Sequence, residues 1–477
     1  MSKVYLTTTL PYVNADPHIG FALEIIQTDV IARSYRSSGD EVFFNTGTDE
    51  HGQKIFEAAQ RSGKNVQEYV DHYASEFRKL TVVLNLDNPT FTRTTDPKHI
   101  VAANEMWSRC MAKGDIYEKE YEGLYCVGHE AFVTEKELIN GKCPDHGKEP
   151  KFLKEKNYFF KFKNYEKYLL DYLARPDSIV PDWRRQEAVN FVRNGLEDFS
   201  ISRERERLSW GIPVPGDDSQ VMYVWFDALT NYISTLGWPD QFGAFKKFWL
   251  EGKTIQVAGK DQVRFQSLIW QAMLKSADVR ATDTIFYHGF ITSGGQKMSK
   301  SLGNVINPFD MVEKYGTDAL RYFLLREITP FEDGDFTIER FRESYNSGLA
   351  NGLGNLTSRL LKMSESYGVQ VVGPDRLKLS VDWRNRVAEL VNQYEFKMAM
   401  DLIWERIANV DSKIQNEKPF SLFKTDPEKA REIVSRLLIE LIEIAKALAP
   451  FMPETSDKIL VAIKANKMPA PLFLRLD

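Results

Sequence analysis

The 477-residue chain predicts an α/β protein: a parallel-sheet domain split by an insertion and followed by an α-helical bundle. Three observations predict this. Val4-Tyr5-Leu6-Thr7-Thr8, a helical stretch from Gly20 to Ser37 and Val42-Phe43-Phe44 follow one another as strand, helix and strand, the unit from which parallel sheets are built. Two later apolar runs, 254–258 and 284–287, fit the same sheet. Near the end, Ile433, Val434, Leu437, Leu438, Leu441, Ile442, Ala445 and Leu448 recur at the spacing of one buried helix face, and Pro450 and Pro453 stop the run.

The loop after the first strand holds Pro11, Asn14, Asp16 and Pro17 and lies where parallel sheets bind ligands, at the carboxyl ends of strands. Across residues 116–208 the character changes. Aromatic and charged residues interleave, Tyr158-Phe159-Phe160-Lys161-Phe162 reads as a strand, and cysteines and histidines cluster, as in an insertion splitting the sheet domain. From Phe341 onward the pattern is helical. The expected division is therefore 1–115 and 209–289 for the two halves of the sheet domain, 116–208 for the insertion, 290–345 for a lysine-bearing segment and 346–477 for the bundle. The acidic run Glu332-Asp333-Gly334-Asp335 reads as a solvated turn.

Composition narrows the class. Hydrophobic residues make up 43% and charged residues 27%, which suits folded cores and excludes a wholly disordered chain. No apolar run approaches the ~20 residues of a membrane-spanning helix, and MSKVYLTTTL lacks the pattern of a secretory signal. A cytoplasmic protein with no membrane partner is expected. With 62 basic against 67 acidic residues, bulk charge does not announce a nucleic-acid binder, so any phosphate must be met locally. Three cysteines are too few for a disulfide scaffold.

Pro17-His18-Ile19-Gly20 sits where the first loop meets its helix. Free N–H groups and the positive helix end there favour phosphate by ~0.3–1 kcal/mol per charge, and a histidine adds a donor. Gly294-Gly295-Gln296-Lys297-Met298-Ser299-Lys300-Ser301 is a glycine-hinged loop with two ammonium groups, suited to charge that moves onto pyrophosphate during nucleotidyl transfer. Cys126-x2-His129 and Cys143-x2-His146 form two pairs that can close a tetrahedral, structural zinc site with no open position. Cys110 has no such neighbour and reads as a buried helix residue.

The histidine and lysine motifs resemble the paired signatures of class I aminoacyl-tRNA synthetases, His-Ile-Gly-His and Lys-Met-Ser-Lys-Ser, which implies a Rossmann-type catalytic domain. The second motif matches in full, whereas Phe21 stands where the family has its second histidine. Thr9-Leu10-Pro11-Tyr12-Val13-Asn14, Gly47-Thr48-Asp49-Glu50-His51-Gly52, Val224-Trp225-Phe226-Asp227-Ala228-Leu229-Thr230-Asn231-Tyr232 and Gly259-Lys260-Asp261 resemble, in order, the methionyl-tRNA synthetase family. That resemblance implies a methionine pocket of Leu10, Tyr12, Trp225, Ala228, Tyr232 and Trp270, with Asp49 receiving the ammonium group. Gln266 stands where the family usually has a pocket histidine, and Gln271 where proline is common. A thioether is polarizable and gains from aromatic contacts, which suits such a pocket.

The same resemblance implies ATP with Mg2+ as substrate. Its contacts would be Pro17, His18, Gly20 and Glu24, the set Asp261, His288, Gly289, Phe290 and Ile291, and the loop Lys297, Met298, Ser299, Lys300 and Ser301, with His18, Lys297 and Lys300 at the centre of catalysis. It also implies a zinc knuckle in the insertion, although cysteine often stands where His129 does. Asn355 and Arg359, one helical turn apart, resemble the anticodon-reading helix. Phe420 stands where a tryptophan commonly stacks on a base, an interaction worth ~1–3 kcal/mol. The implied reaction is formation of methionyl-adenylate from L-methionine and ATP, then transfer to the 3′ end of tRNA(Met). A monomer is expected, since no appended dimerising RNA-binding domain follows the bundle. Two other readings stay open at this point: a nucleotidyltransferase acting on a small acid without tRNA, and a zinc-containing RNA-binding protein with an inactive catalytic domain. A synthetase for isoleucine, valine or leucine would carry a longer insertion.

Overall fold

The computed structural model describes residues 1–128, 131–145, 147–298, 303–369, 382–467 and 470–476. They form two compact units, Met1–Pro17, Gly39–Thr81 and Asn88–His288 in the first, His18–Ser38, Val82–Asp87 and Gly289–Asp477 in the second.

The first unit is built on a six-stranded parallel sheet. Its strands are β1 (Lys3–Thr8), β2 (Glu41–Thr48), β3 (Thr90–Arg93), β4 (Ile179–Val180), β5 (Lys253–Gly259) and β6 (Thr284–His288), in the order β3-β2-β1-β5-β6-β4. The order reverses beside β1, where β2 lies on one edge and β5 on the other, which is where open parallel sheets bind ligands. The strands expected from the apolar runs are therefore present, each slightly longer than its run. Buried residues continue along β1, β5 and β6, as expected of strands enclosed on both faces.

Polar order within the sheet is equally specific. Asn45 donates to Thr7 Oγ1 at 3.1 Å and accepts from Thr92 and Thr235 at 2.8 and 3.1 Å. At Gly47 an added Cβ would fall 1.8 Å from the Thr92 carbonyl oxygen, so only glycine lets β2 and β3 approach there.

The insertion forms a second sheet, a long antiparallel pair of Ile116–Cys126 and Lys151–Phe160 flanked by Ala131–Val133 and Phe199–Ser200. The Tyr158–Phe160 part of the expected strand lies at its end; Phe162 instead begins a helical turn. The insertion also supplies β4, a strand that the sequence reading lacks. Two residues are too short to carry a periodic signal. Cys110 is buried, as expected, in the helix Pro97–Ala112, and burial pushes its thiol up to about 12.

The second unit contains helix α1 (Ile19–Ser37) and the C-terminal helices α2 (Thr317–Arg326), α3 (Asn355–Tyr367), α4 (Asp382–Asn392), α5 (Phe396–Glu417), α6 (Pro427–Leu448) and α7 (Pro453–Ala465). The periodic apolar face lies on α6, except that Ile444 is buried and Ile442 only half-buried. Pro453 does more than end that run: it occupies the first turn of α7, where a missing N–H costs nothing.

The acidic run is only in part a solvated turn: Glu332 and Asp333 are exposed, but the rest is strand. Gly334–Asp335 is a short strand parallel to Ile291–Ser293, itself hairpinned with Gln296–Lys297. Asp335 accepts from Gly295 N–H and from Thr292 Oγ1, each at 2.8 Å, and Asp333 accepts from Phe290 N–H at 2.9 Å. The Gly295 N–H bond, reinforced by the Thr292 hydroxyl, outweighs burial and holds the Asp335 carboxyl below its usual range. Acidic side chains thus brace the lysine-bearing hairpin through backbone donors, a long-range pairing that no local pattern reports.

A buried ion pair ties the second unit together. Arg321 of α2 bonds Asp29 of α1 at 2.7 Å, with both side chains fully buried. The guanidinium also donates to the carbonyls of Leu84, Pro450 and Phe451, and Asp29 also accepts from Arg33 and from Asp87 N–H. Removing Arg321 leaves the buried Asp29 charge to Arg33 and the Asp87 N–H and takes the donor from three carbonyls, so Arg321→Ala is expected to destabilise the fold by about 3–5 kcal/mol. Denaturant unfolding monitored over the bundle checks this; a loss below about 1 kcal/mol, the range of an exposed pair, would contradict it.

Candidate active site

Within the first unit, β1 and β2 continue their pairing past the strand ends. Asp49 N–H donates to Pro11 O at 3.0 Å and Val13 N–H to Asp49 O at 3.2 Å, which sets Tyr12 opposite Asp49. Aromatic rings then join three segments. Tyr12 meets Trp225 edge-on at 6.2 Å, and Trp225 stacks on Phe265 at 4.0 Å. Tyr232 meets Trp270 edge-on at 5.7 Å. Asp49, Ala228, Tyr232, Gln266 and Trp270 are buried, while Leu10, Tyr12 and Trp225 are half-buried. Phe265 belongs to this ring row but was not singled out in the sequence, where only its neighbour Gln266 drew attention.

Gln266 and Phe265 lie on a π-helical turn, Val263–Ile269, just after β5, a geometry often found at functional sites. Gln266 Nε2 donates to Tyr232 OH at 2.6 Å. Gln271, the other departure, bonds the Gln266 carbonyl and Thr282 Oγ1 while its own oxygen accepts from Thr282 N–H. A side-chain amide here fastens the turn to the start of β6.

A buried polar network, also missed in the sequence, surrounds these residues. Asp227 lies between Trp225 and Ala228 on the turn Val224–Leu229 and accepts from His51 Nδ1 and His99 Nε2, each at 2.7 Å. Burial works against the Asp227 charge, but the two imidazoles outweigh it and hold the carboxyl below its usual value. His51 could have been found from its place two residues after Asp49. His99 carries no local signal.

Asp261 is exposed next to Gln262, which donates to it at 3.0 Å. His288 is buried at the end of β6, and Pro17 is buried at the close of the first loop. Cys126 and Cys143 are buried in one small cluster with Val133, packed by Leu124 and Leu138, and neither is in a disulfide. Two buried thiols brought together fit half of a zinc donor set; His129 and His146 lie outside the described residues. Among the described residues no three His, Cys, Asp or Glu side chains gather as a metal site.

In the second unit, His18 is the N-cap of α1, and its Nδ1 accepts from Gly20 N–H at 3.1 Å. That bond makes Nδ1 the acceptor, so the proton of the neutral ring sits on Nε2, which is left as a donor. Phe21, the departure from the family motif, stacks on the His18 ring at 4.3 Å. Burial pushes the His18 pKa down to about 4. Ile19 N–H donates to Ile306 O at 3.0 Å, which joins the start of α1 to the segment following the lysine loop. Glu24 is buried one turn along the helix.

At Gly289 an added Cβ would fall 2.0 Å from the Glu332 carbonyl oxygen, so glycine is required for that approach. Phe290 is half-buried, Ile291 is buried, Lys297 is exposed on the hairpin and Met298 is half-buried. Ser299, Lys300 and Ser301 lie outside the described residues. In the bundle Asn355 is exposed at the start of α3. Arg359 pairs with Asp411 at 2.5 Å, and Phe420 is 46% exposed on the turn Pro419–Leu422.

The family model for class I tRNA synthetases (M) matches residues 4–151 and 135–361, and that for the anticodon binding domain of methionyl tRNA ligase matches 372–472. The chain belongs to the methionyl-tRNA synthetase family. It is a class I aminoacyl-tRNA synthetase, a ligase that joins methionine to tRNA. The Methionine--tRNA ligase of Fusobacterium nucleatum is 41% identical over 469 residues, covering 95% of this synthetase and 73% of the relative. That of Rickettsia bellii is 40% identical, covering 97% and 92%. Among solved structures, Mycobacterium tuberculosis methionyl-tRNA synthetase in complex with methionyl-adenylate superposes with a TM-score of 0.92 at 35% identity, covering both chains completely. No helix among the described residues is long and apolar enough to cross a membrane.

The His18 environment makes a testable demand on the synthetase. An unfolded imidazole takes its proton near 6.5 and the folded one only near 4. Between those values the unfolded chain binds more protons, so the stability contributed by neutral His18 is present above pH 6.5 and is lost as pH falls. NMR of the ring is expected to show no titration of His18 above pH 5, and Phe21→Ala to move its pKa toward 6.5. Titration near 6.5 in the unsubstituted chain would contradict the buried, stacked imidazole.

Proposed function

We propose that L-methionine is held by Leu10, Tyr12, Trp225, Ala228, Tyr232, Gln266 and Trp270, with Asp49 taking its ammonium group. ATP is assigned to Pro17, His18, Gly20, Glu24, Asp261, His288, Gly289, Phe290 and Ile291 and to the loop from Lys297 to Ser301. The observation that carries this reading is the full-length likeness to an enzyme solved with methionyl-adenylate. Within the chain it is supported by the aromatic rings gathered around the Tyr12–Asp49 pairing and Tyr232.

In this account a carboxylate oxygen of methionine attacks the α-phosphorus of ATP, the bond to the bridging oxygen breaks, and pyrophosphate leaves with the electron pair. A ribose hydroxyl at the tRNA 3′ end then attacks the methionyl carbonyl and releases AMP. Little covalent work falls to the protein, so positioning and charge stabilisation dominate. His18 donates its Nε2–H to a phosphate oxygen while remaining uncharged, and Lys297 and Lys300 follow the charge onto pyrophosphate. Mg2+ accompanies the triphosphate and neutralises part of its charge. The bundle reads the anticodon through Asn355 and Arg359, with Phe420 stacking on a base. Zn2+ would be held by Cys126, His129, Cys143 and His146 and would supply only a structural cross-link. The enzyme acts as a cytoplasmic monomer, with the sheet halves 1–115 and 209–289, the insertion 116–208, the lysine-loop segment 290–345 and the bundle 346–477 as its working parts.

Charging assays on tRNA(Met) test the whole sequence of steps. Methionine is expected to be transferred, and substitution of anticodon bases to abolish most of that transfer while leaving adenylate formation intact. Adenylate formation with no transfer to any tRNA would favour a small-acid nucleotidyltransferase. For the loop, Lys300→Ala should leave methionine affinity nearly unchanged and slow adenylate formation; equal losses would mean a structural role. Metal analysis of the purified chain should return one zinc per molecule, lost in Cys143→Ser without loss of the α/β core. Absence of zinc from protein purified without chelator would remove the knuckle from the account.

A further inference from the structure

The pocket residues come from segments far apart in sequence, and one carboxylate is linked, directly or through His99, to the segments carrying Asp49, Trp225, Ala228 and Tyr232. Asp227 lies on the turn between Trp225 and Ala228. Its Oδ2 accepts from His51, two residues past Asp49, and its Oδ1 from His99 on the helix Pro97–Ala112. Since His99 Nε2 donates to Asp227, its Nδ1 is left facing Ser234 Oγ at 3.0 Å, two residues past Tyr232. Asp227 is fully buried, and His51, His99 and Ser234 are buried with it.

The Asp49 segment is fixed from its other side too. Trp210 donates to the Glu50 carbonyl at 2.6 Å and its ring lies against His51. The Glu50 carboxylate accepts from Arg93 twice, from Thr48 and from Thr95, all within 2.8 Å. Asp49 is thus followed by two anchored residues, Glu50 and His51, and the His51 anchor leads to the aromatic turn.

We propose that Asp227 is the positioning residue of the amino-acid pocket: by accepting from His51 and His99 at once, it sets Asp49, Trp225, Ala228 and Tyr232 in register for methionine. This rests on the assignment of that pocket to methionine. The carboxylate matters because it accepts in both directions. An amide of the same shape accepts through its oxygen but offers N–H through its nitrogen, so in Asp227→Asn one imidazole must change tautomer or lose its bond. Either change reaches Asp49 or Tyr232 through two residues of backbone.

Equilibrium binding of methionine and of ATP to the full chain, with pyrophosphate-exchange kinetics, tests the proposal. The unsubstituted chain must bind methionine; failure there overturns the pocket assignment itself rather than the role of Asp227. In Asp227→Asn the methionine Kd and KM are expected to rise about tenfold or more, while ATP affinity and kcat at saturating methionine change less than about threefold. Ser234→Ala and His99→Gln, at the far end of the network, should raise the methionine KM in the same selective way by smaller factors, and they carry the test if Asp227→Asn does not fold. Folded variants with unchanged methionine affinity, or with equal losses for methionine and ATP, would overturn the positioning role.

Discussion

Strand β1 is paired on both edges, by β2 and by β5, and this constrains everything that leaves the carboxyl end of the sheet. Parallel strands share a direction, so the segments after Thr8, Thr48 and Gly259 must emerge on one side. The first carries Leu10 and Tyr12, the second Asp49 and His51, the third Asp261 and Gln266. Backbone bonds between the first two continue the ladder as far as Val13. No side-chain preference could gather these residues without that pairing, and Gly47 permits it on the far side of β2 by leaving room for β3.

Both units answer buried charge with directed donors. In the second, Arg321 serves Asp29 and three carbonyls; in the first, paired imidazoles serve Asp227. A charge with no water around it tolerates few geometries, so each network selects one arrangement of the elements it joins. Such networks are costly to break, and they also make the positions of nearby functional groups definite. His18 is a smaller case: one N–H from Gly20 fixes its tautomer, the Phe21 ring stacks on it, and burial disfavours its protonation.

Much of this was legible in the residues. The parallel strands, α1 and the main C-terminal helix follow from hydrophobic period, and the two signature motifs with Asp49 and Trp225 identified the family. What escaped the sequence depends on contacts between distant segments. The strand Ile179–Val180 is too short to pattern. The acidic run 332–335 looks solvated until its backbone partners at Phe290 and Gly295 are known. Asp227 stood inside a recognised motif, yet nothing near it in sequence announces His99. The departures at Phe21, Gln266 and Gln271 were visible as letters, and the structure gives each a physical partner: a stacked imidazole, a tyrosine hydroxyl, and the Gln266 carbonyl with Thr282. The paired Cys-x2-His spacing was legible, and two of those four side chains, Cys126 and Cys143, lie together in the fold.

The central claim is that this chain activates methionine with its own pocket and phosphate-binding motifs. Amino-acid-dependent exchange of pyrophosphate into ATP tests it most directly, with methionine compared against leucine, isoleucine, valine, cysteine and glutamine. The account predicts exchange stimulated by methionine alone, with Phe21 and Gln266 in place. Folded, zinc-loaded protein that supports no exchange with any of these amino acids would contradict it and leave an RNA-binding relative with an inactive catalytic domain.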